Sequence, residues 1–190
     1  MHPMKKSKAL IVAALFFTGE FILAQDLGKP TGSTPFDGYL GPMRSVLGSL
    51  GSNHPALPEV AGYVKTGRGF RYYMKDPLVP QTPAETESSR AGDCKAKSLW
   101  VSYKMDDRSV RFVVGRARPS SGMNHAWLLW KGPDGWLILD PTLLSMPIDA
   151  SRVGPNEYTA RYSYSAGGKY VHAGAVSAKP TGRVKYGDHS

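Results

Sequence analysis

Cysteine is almost absent from this sequence, since Cys94 is the one cysteine in a chain of 190 residues. A single cysteine excludes any internal disulfide, so the fold depends on its hydrophobic core. The hydrophobic fraction of 41% and the charged fraction of 21% are ordinary for a globular protein and argue against general disorder. A lone thiol is either buried and inert or used in chemistry, and the residues around it decide between these interpretations.

Long apolar runs are also missing. Three lysines in residues 1–8 precede an apolar run at residues 9–17, and small and polar residues follow up to residue 25. As a helix this run spans about 14 Å, well short of the roughly 30 Å hydrocarbon core of a bilayer. The order is that of a secretory signal. We therefore predict a signal peptide over residues 1–24, a periplasmic or secreted mature protein, and no stable membrane insertion after signal cleavage.

Two further absences concern partners. The formal net charge is +9, yet no stripe of lysine and arginine interleaved with aromatics occurs, so we predict no nucleic-acid partner. The positive charge is typical of a solubilising surface; the alternative is attraction to anionic envelope polymers or to an acidic substrate. Histidines and carboxylates do not cluster at metal-ligand spacing, so we predict no metal site and no cofactor.

The elements are ordered with helices first and strands afterwards. Residues 25–59 predict a flexible lead-in, rich in Gly, Pro, Ser and Thr up to residue 42 and with one short helix at 43–50. We place the catalytic domain at 60–178 and a C-terminal tail at 179–190. Strands are predicted at 69–74, 110–115, 126–130, 136–139, 157–164 and 169–176. This order favours an α+β fold with an antiparallel sheet.

Cys94 is predicted to begin a helix. Thr82 and Glu85 have capping-box spacing and predict a short helix that ends near residue 90. Asp93 can cap a second helix that runs from Cys94 to about residue 104. A thiolate at a helix N-terminus is stabilised by the helix dipole, and the Cys94 N–H is a candidate oxyanion donor.

A hairpin brings a histidine and a carboxylate together. Residues 132–135 are turn formers, and a four-residue loop at 131–134 sets His125 directly opposite Asp140. Directly opposed Cβ atoms lie about 4.5–5.5 Å apart, and any even loop length keeps both side chains on one face. A carboxylate beside a histidine favours the imidazolium, so we predict a nucleophilic site of Cys94, His125 and Asp140.

Other candidates carry weaker predictions. His172 is a rival for the catalytic histidine, although strand pairing places no carboxylate beside it, and His54 is predicted to be an exposed loop residue. Gln81 is a candidate oxyanion-hole amide, weighed against a polar loop residue. The tryptophans of the hairpin are expected in the sheet core. The tyrosines of residues 158–170 are expected to line one face of a strand.

These motifs resemble those of a known family. Residues 82–86 (Thr-Pro-Ala-Glu-Thr) and 91–98 (Ala-Gly-Asp-Cys-Lys-Ala-Lys-Ser) resemble a helix and the Gly-Asp-Cys nucleophile of the transglutaminase-like superfamily, in particular its bacterial cysteine-peptidase branch. Residues 125–127 (His-Ala-Trp) and 139–142 (Leu-Asp-Pro-Thr) resemble its histidine and aspartate strands. The three motifs stand in the family's order over about residues 60–145.

The resemblance implies a papain-like, transglutaminase-like α+β core, in which Cys94 lies on a helix packed against an antiparallel sheet. It also implies Cys94, His125 and Asp140 as the catalytic residues. Calcium-dependent relatives place acidic residues just after the nucleophile, where Lys95, Ala96 and Lys97 stand here. Because calcium prefers oxygen ligands, we expect no calcium dependence.

Three functions follow from these patterns. The leading hypothesis is an exported cysteine peptidase that cleaves amide bonds of a peptide or protein substrate through a thioester. One alternative is a transglutaminase-type acyltransferase with an amine acceptor. The other is a catalytically silent module that binds envelope polymer or protein. The sequence identifies neither the substrate nor an oligomeric state.

Overall fold

The computed structural model describes residues 26–118, 124–154 and 156–176. The predicted signal peptide at 1–24 and the predicted tail at 179–190 lie outside the described residues, as do His2 and His189. None of the helices in the described part is long and apolar enough to cross a membrane.

Five α-helices occur in the described residues, and four of them precede the long strands. They are α1 (Gly41–Ser49), α2 (Leu57–Gly69), α3 (Pro83–Ser89), α4 (Cys94–Met105) and α5 (Ala173–Val176). The predicted capping box is present at α3, where the Thr82 hydroxyl accepts from the Glu85 N–H. The predicted cap of α4 is also confirmed, since the Asp93 carboxylate accepts from the Ala96 N–H at 3.0 Å.

The strands of the described residues form one large antiparallel sheet and one small parallel pair. They are β1 (Lys29–Pro30), β2 (Arg71–Tyr72), β3 (Ala91–Gly92), β4 (Val110–Ala117), β5 (His125–Gly132), β6 (Gly135–Leu139), β7 (Ile148–Asp149), β8 (Tyr158–Ser165) and β9 (Gly168–Val171). The large sheet has the order β1-β9-β8-β4-β5-β6-β7, and β2 pairs with β3. This α+β architecture confirms the predicted class.

The sheet buries both faces at its centre, so β4 and β5 are apolar along most of their length. One face carries Phe112, Leu128 and Trp130 and packs against the helices. The opposite face carries Val113, Trp127, Leu129 and Ile138 and packs against the chain that follows β6. Helix α4 is therefore fixed against the middle of the sheet, and the Ser98 hydroxyl also donates to the Ala126 carbonyl at 3.3 Å.

Several elements differ from prediction. Helix α2 was not predicted, because Gly62, Gly67 and Gly69 lower the helix propensity of this segment. Its last residue is Gly69, so the predicted strand at 69–74 is reduced to the two residues of β2. The predicted strand at 169–176 is divided into β9 and α5. The predicted helix at 43–50 is α1, which begins at Gly41 and ends at Ser49.

The lead-in is packed, where mobility was expected. Residues 29–30 add strand β1 to the sheet by pairing with β9, and Leu40, Met43, Leu47 and Leu50 are buried in the core that faces the sheet. These apolar side chains outweigh the local Gly and Pro content because they cover the helix side of the core. The domain limits at 60 and 178 stay a prediction.

The β5–β6 turn is shorter than expected. Gly132 pairs with Gly135, so the loop has two residues, and Leu128 pairs with Leu139. The predicted direct opposition of His125 and Asp140 is therefore wrong, because the register, continued by one residue, sets Asp140 opposite Trp127, two residues nearer to the turn than His125. The loop length is even, and for that reason both residues still lie on one face of the hairpin, as diagonal neighbours.

Candidate active site

Cys94 is the first residue of α4, directly after its capping residue Asp93. Only 7% of the residue is exposed. The chain approaches α4 closely at Gly92, where an added Cβ would stand 2.8 Å from the Ala96 Cβ. Glycine at this position thus lets the small β2–β3 pair pass beside the helix N-terminus and places the thiol at the positive end of the helix dipole.

His125 and Asp140 form a buried hydrogen-bonded pair across the hairpin. The distance from His125 Nε2 to Asp140 Oδ2 is 2.7 Å, and the residues are 4% and 0% exposed. Because a carboxylate only accepts, Nε2–H is the donor and Nδ1 is the ring nitrogen left for the nucleophile. Trp127 stacks on the His125 ring, with 6.1 Å between centroids and 21° between planes. The ring is held in one orientation as a result.

Asp140 is held by three other donors. Its Oδ1 accepts from the backbone N–H groups of Thr142 at 2.9 Å and Leu143 at 3.1 Å. Its Oδ2 also accepts from the Tyr158 hydroxyl at 2.9 Å. The turn that follows β6 therefore fixes one oxygen, and the second oxygen is aimed at His125. Both oxygens of this buried carboxylate are thus hydrogen-bonded by groups of the chain itself.

Electrostatics favour a protonated His125. Burial disfavours the charged ring, but hydrogen bonds to Asp140 and Cys94, together with the negative charges of both, outweigh it and raise the pKa of His125 to about 9. The thiol of Cys94 is thus a direct partner of the ring. The structure brings together all three residues that the sequence singled out, as a thiol, an imidazole and a carboxylate in series.

Neither a family model nor a curated protein matches the chain. Solved structures do: calcium-bound LapG of Legionella pneumophila matches with a TM-score of 0.52 and 20% identity, over 67% of this chain and 74% of that chain. A second LapG structure matches with a TM-score of 0.50 and 21% identity, over 68% and 76%. LapG is a transglutaminase-like cysteine protease. This chain has the transglutaminase-like fold. At this level of identity the likeness concerns the fold.

Within this transglutaminase-like fold, three further side chains lie near the triad, and for two of them, Tyr158 and Tyr72, this position was not predicted. Tyr158 was assigned to a strand face, yet it reaches Asp140. Burial and the charges of Cys94 and Asp93 raise the pKa of Tyr72 to about 12, so its hydroxyl stays protonated beside the nucleophile. Lys97 is 1% exposed on the first turns of α4. Tyr158 lies on a strand that pairs with neither hairpin strand, so no local count could place it.

The rival histidine occupies a different environment. His172 Nε2 lies 2.8 Å from the Ser163 hydroxyl, and Nδ1 lies 3.1 Å from the Asp26 carbonyl. Asp26 also brings a carboxylate oxygen to within 3.5 Å of Nδ1. Strand pairing did not predict this carboxylate because it comes from the segment before β1. Within the described part of the chain, the hydrogen bonds and ion pairs of His172 do not include Cys94.

The remaining candidates are structural or surface residues, or their proposed role stays a prediction. Trp127 and Trp130 are sheet core, as predicted. His54 is exposed, as predicted, and its Nδ1 lies 3.2 Å from the buried Asp107. The Gln81 amide lies beside Gly92 and its Oε1 is buried without a hydrogen-bond partner, but its role in an oxyanion hole stays a prediction. The described residues hold no group of three or more potential metal ligands of the His, Cys, Asp and Glu types.

Proposed function

We propose that the protein is an exported thiol-dependent acyl-transfer enzyme that cleaves peptide amide bonds, with Cys94, His125 and Asp140 as its catalytic triad. The observation that carries this proposal is the contact of buried His125 with Cys94 on one side and Asp140 on the other. Cys94 at a helix N-terminus adds a second, independent feature of an activated nucleophile. Export rests on the signal pattern of residues 1–24.

The first half of the reaction forms the thioester. The Cys94 thiolate attacks the substrate carbonyl carbon, a C–S bond forms, and the carbonyl electron pair moves to oxygen. The N–H of Cys94, at the start of α4, is the candidate donor to that oxyanion. When the C–N bond breaks, His125 donates its proton to the leaving amine. A pKa of about 9 for His125 ensures that this proton is present at neutral pH.

The second half hydrolyses the thioester. His125, now neutral, takes a proton from water, and the resulting hydroxide attacks the thioester carbon. The C–S bond breaks, the carboxylic acid leaves and the thiolate returns beside the imidazolium. Asp140 holds the ring so that Nδ1 faces the thiol and the acyl carbon in both halves. If an amine replaces water, the same site performs transamidation.

The substrate class is inferred from the fold. LapG, whose fold this chain shares, is a periplasmic protease, which favours a protein substrate in the same compartment here. The exposed aromatic and apolar side chains beside the nucleophile, Tyr72, Tyr73 and Met74, form a surface on which an extended peptide can bind. They follow α2. Tyr72 pairs with Gly92, in the strand that leads into Cys94, and the Tyr73 N–H donates to the Gly92 carbonyl at 3.2 Å.

The proposal is tested by iodoacetamide labelling of the mature protein as a function of pH. Only one cysteine exists, so labelling reports on Cys94 alone. We expect labelling of the native protein well below pH 8.5, the region in which a free cysteine reacts. His125→Gln is the matched variant and is expected to move labelling upward. Labelling that follows an ordinary thiol, or that requires denaturation, would favour the silent binding module.

The acyl acceptor is decided by mass spectrometry of peptide products in H2 18O, with and without an added primary amine. A hydrolase incorporates 18O into the new carboxylate whether or not amine is present. An acyltransferase gives an amide of the added amine as its main product. Cys94→Ala is the control and is expected to give neither product.

A further inference from the structure

Lys97 is a buried charge that the proposed mechanism does not yet use. It follows Cys94 by three residues on α4, so the two side chains lie on neighbouring parts of the helix surface. Only 1% of the residue is exposed. Lysine is almost never buried to this extent unless its ammonium is paired. The nature of its partners is therefore informative.

The ammonium of Lys97 is hydrogen-bonded to a neutral group. Its Nζ donates at 2.6 Å to the carbonyl of Phe70, the capping residue directly after α2. The lysines that form ion pairs in the described part of the chain are different ones, namely Lys75, Lys95, Lys104 and Lys169. A carbonyl does not neutralise an ammonium as a carboxylate would, and in a region of low dielectric constant a charge acts strongly on its neighbours.

The charges around Lys97 come from three elements. Burial and the Arg68 guanidinium of α2 lower the pKa of Lys97, whereas Asp140 and Cys94 raise it. An interaction between two charges acts equally on both partners. If Asp140 and Cys94 stabilise the Lys97 ammonium, the ammonium stabilises the negative forms of Asp140 and Cys94 by the same amount. Cys94 also faces His125 from β5 and Tyr72 from β2.

We propose that Lys97 is a positioning residue of the active site, whose buried ammonium favours the thiolate of Cys94 and the carboxylate of Asp140. This inference rests on the proposed function for its use, but its electrostatic content is separate from peptide cleavage. The triad has two negative charges, the thiolate and Asp140, and one positive charge on His125, while the neighbouring Asp93 is paired with Lys95. Lys97 supplies a second positive charge, from a buried position on α4.

A purely structural role makes a different prediction. A cation at the C-terminus of α2 is favourable, because carbonyls there lack helical partners. If capping were the whole role, loss of the charge would lower stability and leave the titration of the thiol unchanged. The pH dependence of Cys94 alkylation separates the two roles.

The test compares Lys97→Met and Lys97→Gln with the wild type in iodoacetamide labelling from acid to alkaline pH. Met retains most of the apolar stem, and Gln retains a donor for the Phe70 carbonyl, but both lack the charge. We expect the labelling midpoint to rise by about one pH unit in either variant, which is a roughly tenfold slower reaction on the acid side. Lys104→Met, on the last turn of the same helix, is the matched control and is expected to leave the midpoint unchanged.

An unchanged midpoint in a folded Lys97 variant overturns the proposal and leaves the capping role. Failure of both variants to fold, judged by circular dichroism, assigns Lys97 to the fold and overturns it as well. The outcome is distinct from failure of the proposed function. A wild-type protein that cleaves no peptide and labels as an ordinary thiol would refute the peptidase, whereas a shift between wild type and variant is measured without any substrate.

Discussion

Two buried histidines of this protein have nearly the same set of partners and opposite electrostatic behaviour. His125 contacts the Cys94 thiol and the Asp140 carboxylate. His172 contacts the Ser163 hydroxyl and lies 3.5 Å from an Asp26 carboxylate oxygen. Each is thus a histidine between a group that is able to act as a nucleophile and an acid, and residue types alone do not distinguish them.

The exposure of the carboxylate is the decisive difference. The Asp140 side chain is 0% exposed, whereas that of Asp26 is 47% exposed, so solvent screens the second pair and not the first. The pKa of His125 is raised to about 9. Burial lowers the pKa of His172, and the charge of Arg111 adds to this, despite Asp26. One ring is an imidazolium at neutral pH and the other is neutral.

The backbone around the two nucleophile types differs as well. Cys94 begins a helix, and the first N–H groups of a helix have no partner one turn earlier in it. Ser163 lies within strand β8, where its N–H and carbonyl belong to the sheet ladder, and the residue is fully buried. The His172 cluster instead ties the segment before β1 to the start of α5, since the Ala173 N–H donates to the Asp26 carboxylate at 3.0 Å. We interpret it as a structural site.

The largest expected effect is the difference in peptide cleavage between variants of Cys94 and of Ser163. Cys94→Ala is expected to reduce peptide cleavage by at least about 10³-fold, because the thioester cannot form. Ser163→Ala removes the corresponding group of the His172 cluster and is expected to leave kcat/KM within about twofold, with a loss of about 1–2 kcal/mol in stability from the unpaired ring nitrogen. Cleavage assays and urea unfolding of both variants measure this.

The reverse result would be informative. A Ser163→Ala protein that unfolds with wild-type stability but has lost its activity would move the catalytic centre to His172. Residual cleavage by Cys94→Ala at the wild-type rate would exclude the thiol mechanism altogether.

The two histidine sites show which features could be predicted from the sequence and which could not. The hairpin around residues 133–134 carried enough local information to place His125 and Asp140 on one face, because an even loop is common to several turn types. The capping residues Thr82 and Asp93 likewise located α3 and α4. Local rules of spacing therefore predicted that His125 and Asp140 share one face, and capping rules predicted that Cys94 begins a helix.

Long-range packing was not predictable in the same way. The approach of α4 to β5, which brings Cys94 to His125, was an expectation from family resemblance. Tyr158 and Asp26 reach their histidine sites from strands and segments far along the chain, and no periodicity encodes such contacts. The glycine-rich helix α2 has weak intrinsic propensity and is held by burial of Val60 and Val64.

The next largest effect is the pH dependence of stability. The pKa of His125 is raised from 6.5 to about 9 on folding, so the stabilisation by its pair is fully present below pH 6.5 and is lost as pH rises through about 9. The pKa of His172 is lowered, so its contribution is present above pH 6.5 and is lost as pH falls. The two histidines are expected to give opposite slopes.

Urea unfolding of wild type, His125→Gln and His172→Gln from about pH 5.5 to 9.5 measures these slopes. The stability difference between wild type and His125→Gln is expected to shrink toward alkaline pH, by on the order of 2 kcal/mol. The difference between wild type and His172→Gln is expected to shrink toward acid pH. Parallel slopes for the two variants would contradict the assignment of one charged and one neutral ring.

The smallest effect concerns Tyr158, the donor that the His125 site has and the His172 site lacks. Tyr158→Phe removes the hydroxyl that donates to Asp140 at 2.9 Å and is expected to lower kcat by about three- to tenfold, since Asp140 orients His125 less firmly. Tyr164→Phe is the matched control, because its hydroxyl lies 2.6 Å from Thr34 in another buried contact of the sheet. Both variants are expected to lose about 1 kcal/mol of stability. Only the first is expected to change kcat, and an equal change in both would mean that the hydroxyl acts through the stability of the sheet and not through Asp140.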